Sequence, residues 1–223
     1  MNFDIVIKKS KQRKKTLQLN VLPNNIVEVI TPDGISKKNI YRLIKDKNEW
    51  IQKRLTFYKK NEDKLSPKTF RSGDIFFYLG SVYKLQETTH QKPGVWFDKN
   101  TLMVHPKKDI KTSLELWYKE CALDIFTDRI TYYSERIGVQ PKEIKIKKMK
   151  TRWGSCSEKG NINLNWILIM TPLTVIDYVC IHELCHLIHM NHSPSFWELV
   201  ELHYPNHKSA TKWLKNHSAF LTW

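Results

Sequence analysis

Four histidines and one glutamate crowd into the run Asp177–Trp197, "DYVCIHELCHLIHMNHSPSFW": His182, Glu183, His186, His189 and His192. His182 and His186, four residues apart, stand one turn above each other on a single face of a helix. From Leu173 to Met190 the chain is apolar on nearly every side, with Val175, Ile176, Val179, Ile181, Leu184, Leu187 and Ile188, and a helix apolar all round is expected to be buried. Burial keeps imidazole neutral, the form that donates a lone pair to a metal. The pattern is H-E-x-x-H, in which two histidines bind zinc and the intervening glutamate is a general base. Glu183 is rotated about a quarter-turn from the ligand pair, so it can lean over a water without being a ligand. A buried carboxylate with no such task is costly.

A catalytic zinc has three protein ligands and one open position. His189 shares the helical face but stands seven residues from His182, about 10.5 Å along an α-helix. His192 is the better third ligand if Asn191 ends the helix as a left-handed cap and Ser193 caps a new helix opened by Pro194, turning the chain back. His189 remains the alternative. The expected chemistry is hydrolysis: zinc lowers the pKa of a water, Glu183 takes its proton, and the oxygen attacks a carbonyl or phosphoryl centre. Developing negative charge needs a donor, for which Arg152, Tyr178, Tyr204 and His217 are candidates. Cys180 and Cys185 flank the ligands; Cys185 reads as a small buried hydrophobe, and Phe196, Trp197, Leu199 and Val200 as the packing face of the next helix.

The elements that must position these residues follow from periodicity. Thr171 as N-cap and Pro172 at the first helical position start the ligand helix. Upstream, "EIKIKKM" and "NINLN" read as strands around the irregular "KTRWGSCSEKG", and "NINLN" is the expected edge on which an extended peptide adds a strand. A long helix spans about Ile110 to Ile137 and stops at "GVQP". Before residue 108 the texture is alternating: "TLQLNVL", "IVEVI", "DIFFYLG", "VYKLQE", "GVWFD" and "TLMVH" read as strands with "PNN" and "DKN" as hairpin turns. One helix, about Ser36 to Lys60, interrupts them. The expected fold is α+β, with a β-rich N-terminal region over residues 1–108 and a helical, zincin-like metallohydrolase domain over 109–223 around a short sheet.

With 223 residues a core forms without disulfide or metal. Cys121, Cys156, Cys180 and Cys185 show no C-x-x-C pair or secreted-scaffold spacing, and no eighteen apolar residues run together. These features lead us to expect a cytoplasmic protein with reduced thiols and no membrane partner; oligomeric state is left open. The formal charge of +15 is uneven, with 15 Lys/Arg against 5 Asp/Glu in residues 1–60 and 3 against 4 in residues 171–223. A nucleotide or nucleic acid is the partner that such a basic N-terminal half would attract.

The stretches "RWGSCSEKGNINLNWILIMTP" and "DYVCIHELCHLIHMNHSPSFWELV", with "IKKSKQRKKTLQLNV" and "YLGSVYKL", resemble the YgjP-like metallopeptidase family, which is related to the SprT-like and WLM zinc peptidases. The glycine of the H-E-x-x-H-x-x-G-x-x-H peptidases is His189 here, which argues against a metzincin proper. The resemblance implies a zinc at His182, His186 and His192, a catalytic Glu183, and a role near the active site for Trp153 and Ser155, residues that could otherwise be core aromatic and turn. A metallopeptidase acting on a peptide or protein is the activity it implies first. A nucleoside-triphosphate (UTP-type) pyrophosphatase, or a DNA-associated protease of SprT-like type, is the alternative.

Overall fold

The computed structural model describes residues 3–223 apart from 12, 24, 66, 90, 91 and 222, and only the backbone of 63 and 64. The chain separates into two compact units, Met1–Ser66 and Pro67–Trp223. That division falls ahead of residue 108, where strand alternation gives way to helix, so the strands between 67 and 108 lie in the second unit.

In the first unit β1 (Asp4–Lys9), β2 (Gln18–Leu22) and β3 (Ile26–Thr31) form a sheet ordered β1-β3-β2. Central β3 runs parallel to β1 and antiparallel to β2, and its Val27 and Val29 are fully buried. The single helix expected over Ser36–Lys60 is two helices, α1 (Lys37–Asp46) and α2 (Asn48–Lys60), with a short α3 (Glu62–Leu65) behind them. The break is at Lys47 (φ −101°, ψ 8°). Asp46 and Asn48 flank it, and such side chains favour caps over helix interiors because they compete for backbone partners. The Tyr58 hydroxyl donates to the Val21 carbonyl at 3.0 Å and ties α2 to the sheet.

The second unit opens with β4 (Ile75–Tyr78), β5 (Ser81–Glu87), β6 (Gly94–Asp98) and β7 (Thr101–His105), ordered β4-β5-β7-β6. The long helix α4 spans Ile110–Ile137 as its pattern predicts. Asp109 caps it, its Oδ1 accepting the Thr112 N–H at 2.8 Å, and Gly138 ends it in the left-handed region at φ 77°. Leu114, Tyr118, Ala122, Phe126 and Ile130 recur every fourth residue and are fully buried. Burying a large apolar side chain of this kind stabilises by roughly 1.5–3 kcal/mol. Then come β8 (Glu143–Lys147), β9 (Gly154–Cys156) and β10 (Asn161–Asn165), a 3-10 turn over Trp166–Met170, and helices α5 (Leu173–Cys185), α6 (Pro194–His203) and α7 (His207–His217), with a last 3-10 turn at Ser218–Phe220. The whole is an α+β fold.

The sheet beside the histidine-bearing helix is ordered β8-β10-β9. "NINLN" is therefore its centre, parallel to β8 and antiparallel to β9, with both edges hydrogen-bonded. It cannot be the peptide-binding edge expected of it. Of the two edge strands, β8 and β9, the one that lines the cleft is β9, inside the stretch read as irregular; Gly160, at φ 78°, makes the turn that folds β10 back onto it.

Helix α5 is buried nearly all round, as its composition predicts, but both its ends differ from expectation. Pro172 holds the N-cap position and its carbonyl accepts the Val175 N–H at 2.8 Å. Thr171 instead closes the preceding 3-10 turn, its hydroxyl donating to Leu168 O at 2.8 Å. The turn between β4 and β5 reaches the same place: the N–H groups of Leu79 and Gly80 donate to Ile169 O (2.9 Å) and Met170 O (3.3 Å), and a Cβ on Gly80 would come within 2.8 Å of Pro172 Cγ. At the other end the helix stops at Cys185 rather than Met190, and Leu187 and Ile188 donate back by three residues to Leu184 O and Cys185 O. Asn191 does not take the left-handed conformation. The early unwinding lets the His189 carbonyl meet the His186 ring. Ser193 caps α6 as expected, its Oγ accepting the Phe196 N–H at 3.4 Å.

Bidentate contacts from Arg129 Nε and Nη2 to Asp177 Oδ1 (2.6 Å) and Oδ2 (3.0 Å) fasten α4 to α5. Among the described residues, no helix is long and apolar enough to cross a membrane. All four thiols are free.

Candidate metal centre

Helix α5 presents His182 and His186 on one face, and the turn after it carries His192 back over them. One ligand nitrogen from each lies within 4.8 Å of the others. His182 Nε2 and His192 Nε2 are 3.2 Å apart. The His189 side chain is not in this group. Its backbone carbonyl is, lying 3.0 Å from His186 Nδ1. A carbonyl only accepts, so Nδ1 carries the proton and Nε2 of His186 keeps its lone pair for a ligand.

These residues fit a metal ion. Nitrogens bound at about 2.0–2.1 Å around a tetrahedral centre stand roughly 3.3 Å from one another, which is the spacing of the His182–His192 pair. Burial, then the neighbouring His186 and His192, pulls His182 down to about 3, and burial also lowers His186. Both shifts favour the neutral ring, the form that can donate a lone pair to a metal. Among the described residues, His182 Nδ1 and Glu183 Oε2 are buried polar atoms without a hydrogen-bond partner, and both are in this cluster.

Glu183 follows His182 on the helix and is only 5% exposed. Burial pushes its carboxyl up to about 8, against the opposing charge of Arg152. Its carboxyl lies on β9 at Gly154. A Cβ there would come within 2.5 Å of Oε1, 2.6 Å of Cγ and 2.8 Å of Cδ, so any side chain in place of the glycine of "RWGSC" would have to displace the carboxyl.

An open cleft of about 750 Å³ surrounds the cluster. Arg152, Trp153, Ser155 and Tyr178, named from the sequence, all line it, as do the three histidines and Glu183. Ser155 Oγ accepts from Asn163 Nδ2 at 3.2 Å, which turns it toward the sheet. Two other candidates are occupied elsewhere: the Tyr204 hydroxyl donates to Thr174 O at 2.7 Å, and His217 stacks on Trp213 with its Nδ1 on Trp213 O. Burial pushes the Cys185 thiol up to about 12 and raises Cys180 as well, as suits buried hydrophobes. Sequence reasoning missed Thr211, Leu214, Lys215 and Ser218, which α7 and the turn after it contribute to the wall. No spacing signal links them to the histidines, because only the docking of α7 on α5 brings them near.

A family model described as the YgjP-like metallopeptidase domain matches residues 15–217. No curated protein matches the chain. Among solved structures, the metallopeptidase zymogen of Pyrococcus abyssi abylysin is 27% identical, covers 40% of this chain and 92% of its own, and superposes with a TM-score of 0.38. The match to the family model spans nearly the whole sequence and includes the histidine cluster, β9 and Glu183: the chain belongs to the YgjP-like metallopeptidase family.

Proposed function

We propose that the chain is a zinc-dependent peptidase with His182, His186 and His192 as ligands and Glu183 as general base. The observation that carries this reading is the convergence of three imidazole nitrogens within 4.8 Å, beside a buried carboxyl, in an open cleft. Three nitrogen ligands with space for a fourth suit a catalytic rather than a structural site. When bound, zinc would lower the pKa of a water, polarise a substrate carbonyl and favour the ionised form of Glu183. Glu183, held against Gly154, takes the proton of the attacking water and returns it to the leaving amine. Arg152 and Tyr178 line the cleft and supply donors to the charge that develops on the carbonyl oxygen. An extended peptide lies along the outer edge of β9, where backbone groups can add a strand to the sheet.

The test is incubation of the metal-loaded protein with casein, with a DNA-attached protein and with a set of nucleoside triphosphates, each beside Glu183→Gln. Casein cleavage lost in that variant, with metal retained, supports the reading. Nucleotide turnover lost in the variant, with casein untouched by the parent, would replace it by a pyrophosphatase. Cleavage confined to the DNA-attached protein would make it a DNA-associated protease.

We further propose that the first unit binds nucleic acid. Lys8, Lys9 and Lys53 pair with Glu28, Asp33 and Glu49, while Lys11, Lys14, Lys15, Lys37, Lys38, Arg42, Lys45 and Lys47 are exposed. Tyr41 and Trp50 are exposed among them, the mixture of cations and aromatic faces that suits a single strand.

A further inference from the structure

The ligands differ in how they are held. His182 is fixed by the backbone of α5, and His186, the C-cap of that helix, also by the His189 carbonyl. His192 sits in the turn before α6, is exposed, and among the described residues has the His182 ring as its side-chain hydrogen-bond neighbour. A ring in that position must be kept from other rotamers by its packing, or its ordering is charged against metal affinity.

The packing is aromatic. The Trp197 ring stacks on His192 with centroids 5.7 Å apart and planes at 27°. Its other stacking partner is His207, at 5.6 Å and 28°. His207, the first residue of α7, is itself only 7% exposed. One residue before Trp197, fully buried Phe196 meets all three ligand rings: stacked on His186 at 4.5 Å and 26°, and edge-on to His182 at 5.0 Å and His192 at 4.9 Å. All these separations fall in the range of attractive ring pairs. The residues read from sequence as the ordinary packing face of α6 are thus the surface against which the ligands rest.

We infer that Trp197 and His207 are positioning residues: the stack His192–Trp197–His207 preorganises the third metal ligand and links its placement to the docking of α7. This rests on the proposal that His182, His186 and His192 hold the metal. Hydrogen-bonded supports of a ligand are typically worth tenfold to a hundredfold in metal affinity, ring stacking up to about tenfold, and a site built on locked rotamers needs such supports.

The experiment is titration of the metal-free protein with cobalt(II), following its visible d–d absorption, for the parent, Trp197→Leu, Trp197→Phe, His207→Ala, His207→Phe and His186→Ala. Trp197 is 36% exposed, so its replacement opens little cavity, and thermal unfolding of each metal-free variant checks the fold. Trp197→Leu and His207→Ala should weaken cobalt binding roughly tenfold and alter the band shape. Trp197→Phe and His207→Phe, which keep a ring in the stack, should stay within about threefold of the parent. Equal affinity and spectra for the Leu and Phe variants overturn the inference while leaving the ligand assignment standing. A parent that binds no cobalt, or a His186→Ala that binds it equally well, overturns both.

Discussion

The carboxyl of Glu183 occupies the space that a side chain on Gly154 would need, with Oε1 only 2.5 Å from where a Cβ would stand. The ligand helix and the edge strand are in contact through this pair, so the position of the carboxyl and the position of β9 are one property. Gly154→Ala should keep its metal, because the three atoms nearest that Cβ all belong to Glu183, and should lose peptidase activity by about a hundredfold, the usual cost of displacing a reacting group by an ångström. Metal content measured beside casein turnover checks it; a fully active alanine variant would show that Glu183 can be moved freely.

Glu183 also makes the metal-free protein sensitive to pH. Its carboxyl is raised from the ordinary range to about 8, so the folded state holds its proton more tightly than the unfolded state does. That contribution is complete below about pH 4.5 and is lost as pH rises through the folded value near 8. Metal-free Glu183→Gln should therefore match the parent near pH 4.5 and exceed it in stability above pH 8. Denaturant melts at the two pH values check the sign, and a stability difference that shrinks with rising pH would contradict the burial of this carboxyl.

His189 and His192 should separate cleanly. His189 contributes a backbone carbonyl to His186 and no side chain to the cluster. Consequently His189→Ala should leave zinc affinity within about threefold, below the range seen when a supporting side chain is lost. His192→Ala removes one nitrogen of the three and should lower affinity by far more than a hundredfold. Competition with a chelator of known affinity measures both.

Substituting Lys11, Lys14, Lys15 and Lys38 by Gln should leave folding unchanged, since all four are exposed. Lys8 and Arg13 are best left alone, because they bond Glu28 and Gln18 in a chain of side-chain contacts across the sheet. Each phosphate of a single strand that a lysine no longer neutralises flattens the plot of log affinity against log salt by roughly 0.7. Freeing three or four phosphates should therefore reduce the slope by about two to three. A variant whose affinity and slope equal the parent's would reduce these lysines to a solvated face.

Much of this was legible in the sequence where a single local rule decides the outcome. Helix α4 spans Ile110–Ile137 and stops at Gly138 as the pattern says, Ser193 and Pro194 open α6, and the i, i+4 spacing puts His182 and His186 on one face. The errors are at places governed by distant partners. Thr171 looks like a cap for α5, but its hydroxyl is taken by Leu168. The run to Met190 is apolar enough to continue as helix, yet it unwinds after Cys185, where the His189 carbonyl meets the His186 ring. "NINLN" alternates like any half-buried strand, and only the pairing order reveals that β9 lies outside it. The wall supplied by α7, and the rings of Trp197 and His207 beside the third ligand, arise from packing that leaves no periodic trace.

The turn at Leu79 and Gly80 gives the ligand helix an unusual dependence on chain history. The hydrogen bonds just ahead of Pro172 come from a hairpin made much earlier in the chain, and such nonlocal closures are slow because the intervening loop must surrender its entropy first. A refolding chain can collapse, and can form α4 from local contacts, before the start of α5 is fixed in place. Metal capture should accordingly trail compaction, with the ion meeting a nearly finished scaffold rather than nucleating one.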